Sequence, residues 1–127
     1  MKAQTLTDGI DSLPSKRLRL EATDGTEIDA YYIAPIQING ADPRLNDTLL
    51  IYNHGNFGGI GHYIPRLQML HNVGFTILVY DYRGYGKSGT ETIPSSTEFL
   101  SDGEDVYQIA TEIAPDPDKI VVYANSL

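Results

Sequence analysis

Residues 48–59 read TLLIYNHGNFGG, an unbroken apolar run of strand length that passes through Asn53 and His54 into a glycine-rich stretch. An apolar run without alternation suits a strand covered on both faces, as in parallel sheets. Downstream, Ile64, Leu67, Met69, Leu70 and Val73 recur at helical spacing, and Gly74 supplies the C′ stop. Phe75 to Tyr80 is a second covered run. After a loop from Asp81 to Ser96, a helix capped by Ser95 or Ser96 is predicted through Phe99, Val106, Ile109, Ala110 and Ile113. Ala114-Pro115-Asp116-Pro117 breaks it, and Lys119 to Tyr123 is a third covered run leading into Ala124-Asn125-Ser126-Leu127.

Upstream, residues 16–35 alternate polar and apolar on either side of Asp24-Gly25, which predicts a hairpin of two half-buried antiparallel strands. A hairpin followed by strand, helix, strand, helix, strand calls for an α/β fold. Its parallel sheet has right-handed crossovers and helices on both faces. The acidic residues Glu98, Asp102, Glu104 and Asp105 are expected on the solvated face and early turns of the second helix.

The 127 residues make one domain at most, short for an α/β enzyme, which leaves open whether residues 1–127 are a complete or a single incomplete domain. Nine basic against seventeen acidic side chains give a net charge of −8, which repels phosphate backbones and anionic lipid surfaces and argues against a nucleic-acid partner. The absence of cysteine excludes disulfides and thiolate catalysis. The polar, interrupted start and the lack of any apolar run near a membrane span predict a soluble, cytoplasmic protein.

Ligands of parallel α/β sheets sit beyond the carboxyl ends of the strands, and three segments qualify. A serine just past a covered strand, Ser126, is what a strand-to-helix nucleophile elbow (residues 124–127) requires, although a serine there taken alone is more often an ordinary helix N-cap. Residues 54–59, beginning His54-Gly55-Asn56, form a glycine-rich loop able to aim amides into a cavity. The backbone N–H of Asn56 is one candidate oxyanion donor and that of Leu127, next to the serine, the second. The plainer reading of His54-Gly55 is a tight turn with a packed histidine. Asp81 and Arg83, after the second run, are read as an ion pair pinning the third loop. Gly84, Gly86 and Gly89 fit G-x-G-x-x-G, but residues 90–96 postpone the helix that a dinucleotide-binding turn should open directly.

Taken together and in order, Leu50 to Asn56, the helix from Ile60 through His71, Val79 to Ser88 and Val121 to Leu127 resemble the α/β-hydrolase superfamily, most closely its BEM46-like and ABHD-type serine hydrolases. The resemblance covers about Thr48 to Leu127. It implies the N-terminal part of an α/β-hydrolase fold, truncated after the elbow, with Ser126 as nucleophile and Asn56 and Leu127 as the oxyanion hole. The implied reaction is hydrolysis of a small acyl substrate (a carboxylic ester, thioester or amide) without metal or organic cofactor. Ala124 departs from the usual elbow glycine. Triads of this type run Ser, then acid, then His, so the acid and base are expected beyond Leu127, and His54, His62 and His71 are read as structural. The competing readings are a non-catalytic interaction module pairing through the open edge of the Lys119–Tyr123 strand, and a dinucleotide-binding domain using the Gly84 loop.

Overall fold

The computed structural model describes residues 2–5, 13–35, 47–53, 63–81 and 96–124. Its elements are β1 (Lys2–Thr5), β2 (Ser15–Glu21), β3 (Glu27–Ile33), β4 (Leu49–Asn53), α1 (Ile64–Val73), β5 (Thr76–Tyr80), α2 (Ser96–Ile113) and β6 (Ile120–Ala124), with a 3-10 turn at Pro117–Lys119 before β6. Six strands form one sheet in the order β1-β2-β3-β5-β4-β6. The pairs from β1 to β5 along that order are antiparallel, and β5-β4-β6 is parallel.

The expected hairpin forms at Asp24-Gly25. Gly25 takes φ 86°, a left-handed conformation costly to any residue with a Cβ. Its N–H donates to Ala22 O at 2.8 Å, while the Asp24 carboxylate accepts from Thr26 N–H at 3.0 Å, so the aspartate closes its own turn. Glu21 then faces Glu27 and the register runs to Ser15 opposite Ile33. Pro65 starts α1, where its missing N–H is harmless, and Gly74 at φ 130° ends it, donating to His71 O at 3.0 Å.

Strand alternation divides the core in two. Leu20, Ile28, Ala30, Leu49, Ile51, Leu78 and Tyr80 pack with Val106, Ile109 and Ala110 of α2. The intervening Ile33, Leu50, Tyr52, Ile77 and Val79 pack with Leu67 and Leu70 of α1. The chain passes from β4 to β5 on one side and then back beyond β4 to β6. Two crossovers of one hand running in opposite directions must use opposite faces, and the two helices do. Among the described residues no helix is long and apolar enough to cross a membrane.

Four details differ from expectation. β1 is an added edge strand, held to β2 from Lys2 opposite Glu21 to Thr5 opposite Leu18. Met69, Val73 and Ile113, though at helical spacing, are exposed, and α1 buries only Leu67, Leu70 and His71. β6 is not covered on both faces: Val121 and Val122 are 40 % and 55 % exposed at the edge of the sheet, while Ile120 packs against the α2-side cluster. The acidic residues of α2 split: Glu104 is exposed, whereas Asp102 and Asp105 are 3 % and 8 % exposed. Asp105 is buried because Thr23 supplies it with two donors, N–H at 3.0 Å and Oγ1–H at 2.9 Å, which pin the hairpin turn to the helix. The negative charge of Asp102 acts on Tyr80 across the helix–sheet interface.

Candidate active site at the carboxyl ends of the parallel strands

Asn53 pairs with Tyr80 on one side and with Ala124 on the other, so β4, β5 and β6 end level with one another. With neighbouring strands about 4.8 Å apart, the segments that begin at His54, Asp81 and Asn125 start side by side at one end of the sheet. His54, Gly55, Asn56, Arg83, Ser126 and Leu127 lie outside the described residues, as do His62 and the Gly84 loop. What the structure fixes is the strand end from which each segment departs.

Asp81 is described and buried. Its backbone N–H donates to Asp29 O at 2.9 Å, extending the β3-β5 ladder one step past the strand. Asp29, itself buried, accepts from Arg17 Nε at 2.7 Å, diagonally across the hairpin. The carboxylate of Asp29 is therefore stabilised by a largely buried guanidinium at the same end of the sheet, a pair the sequence reading passed over. The signal was present: Arg17 and Arg19 alternate on one face of β2, and Asp29 and Glu27 on the same face of β3. His71 is a packed residue. It is buried, and since a carbonyl can only accept, its Nε2–H is the donor to Ala34 O at 2.8 Å.

On the α2 side of the strand ends lies a cleft of about 390 Å³ lined by Ile51, Asn53, Tyr80, Leu100, Tyr107 and Val122, among others. Burial, reinforced by the negative charge of Asp102, pushes the Tyr80 phenol well above its ordinary value of 10, so its hydroxyl stays neutral. Asn53 Oδ1 is buried and has no hydrogen-bond partner among the described residues. On the α1 side, Tyr52 stacks on Tyr123, and Arg66 donates to the Tyr123 hydroxyl.

This arrangement, an antiparallel hairpin feeding a parallel β5-β4-β6 core, is the N-terminal part of an α/β-hydrolase fold. No family model matches the chain. The esterase Pf2001 of Pyrococcus furiosus superposes with a TM-score of 0.67 at 23 % identity, covering 89 % of this chain and 42 % of that one. The α/β-hydrolase GrgF of Penicillium sp. sh18 also gives 0.67, at 20 % identity, covering 88 % and 37 %. At such identities the likeness is one of fold. Among curated proteins, the chain is 28 % identical over 121 residues to the uncharacterized protein YfhR of Escherichia coli K12, covering 94 % of this chain and 40 % of the relative. It is 29 % identical over 114 residues to the protein bem46 of Schizosaccharomyces pombe, covering 88 % and 36 %. To the lysophosphatidylserine lipase ABHD12 of Danio rerio it is 34 % identical over 82 residues, covering 62 % and 20 %. The chain thus has the α/β-hydrolase fold and is similar in sequence to the BEM46 and ABHD12 proteins. It spans at most 40 % of the length of these curated relatives.

Proposed function

We propose that the chain carries the nucleophile and oxyanion hole of a serine hydrolase acting on a carboxylic ester, thioester or amide. The observation that carries the reading is the register of β4 and β6. Asn53 opposite Ala124 starts the His54–Gly59 loop and the Ser126 turn from adjacent points, the juxtaposition that an oxyanion loop and a nucleophile elbow need. The relatives named esterase and lipase support the reaction class. In this reading Ser126 Oγ attacks the acyl carbonyl, and the N–H groups of Asn56 and Leu127 stabilise the oxyanion, each worth on the order of 10²–10³ in rate. The leaving group departs from an acyl-enzyme that water then hydrolyses. The histidine that takes the serine proton, and its acid partner, are not among residues 1–127. Asp81, held against Asp29, serves the frame of the site.

The test is hydrolysis of p-nitrophenyl acetate and short thioesters by the protein expressed from its complete reading frame. Ser126→Ala is expected to lower kcat by at least about 10³-fold; full activity in that variant would overturn the assignment. The exposed valines of edge strand β6, Val121 and Val122, favour a second reading, an interaction module that pairs through this edge. It predicts a defined complex that Val122→Lys abolishes.

A further inference from the structure

We draw no further inference here: the strongest candidate, the apolar cleft between α2 and the edge strand β6 lined by Ile51, Leu100, Tyr107 and Val122, carries nothing because nothing among the described residues shows what covers it.

Discussion

The ring of Tyr52 stacks on that of Tyr123, with centroids 5.2 Å apart and planes 16° from parallel. The pair clamps β4 to β6 one residue before Asn53 and Ala124, so it holds together the two strands from which the candidate catalytic segments leave. Tyr63 adds a tilted ring 6.0 Å from Tyr52.

Replacing Tyr123 by leucine keeps apolar volume but removes the stack and the hydroxyl that accepts from Arg66. The expected loss is about 0.5–1.5 kcal/mol beyond the change in buried area, as for other aromatic pairs. Urea unfolding of the single variants and the Tyr52→Leu/Tyr123→Leu double variant measures it as a coupling energy.

The Thr23–Asp105 contact joins the hairpin turn to α2 across the sequence. Thr23 is exposed and Asp105 buried, so the pair is worth about 1–2 kcal/mol. Thr23→Val should lower the urea midpoint by that amount. Asp105→Asn is expected to be the milder change, because one acceptor oxygen remains for Thr23.

Arg17 and Asp29 form a largely buried ion pair, so truncating one partner leaves a buried charge uncompensated. Arg17→Met is expected to cost about 3–5 kcal/mol. Arg17→Met combined with Asp29→Leu is expected to be less damaging than Arg17→Met alone, since the orphaned charge is then gone; calorimetric melting of the three variants checks the order.

Tyr80 predicts an alkaline limit to stability. Its folded pKa lies above the unfolded value of 10, so folding favours the neutral phenol. That contribution is fully present below pH 10 and is lost as pH climbs above it. Tyr80→Phe should remove this part of the alkaline decline while leaving the neutral-pH pH dependence unchanged, read from unfolding free energies between pH 7 and 11.

The β5-β4 core was legible because a strand buried on both faces must be apolar throughout, and Leu49 to Tyr52 and Ile77 to Tyr80 are. The hairpin was legible because Asp24-Gly25 combines a self-closing aspartate with a residue that tolerates φ 86°. β1 was not, since Lys2 to Thr5 carries no alternation and its place comes from ladder bonds to β2. Nor was the burial of Asp102 and Asp105, whose partners, Tyr80 and Thr23, come from distant parts of the chain. β6 misled by composition: Ile120 to Tyr123 has the residues of a covered strand, yet its valines meet solvent. Of the candidate site, the sequence offered three strand ends, and the register sets those ends side by side. The Arg17–Asp29 pair was legible in the alternation of the hairpin, but its place beside Asp81 required knowing that β3 lies next to β5.

The most direct test of the central claim is to treat the protein from its complete reading frame with a fluorophosphonate and locate the adduct by peptide mass mapping. A single phosphonyl adduct on Ser126, absent after Ser126→Ala and after prior heat denaturation, is the predicted result. An adduct on another serine with Ser126 unmodified would contradict the account.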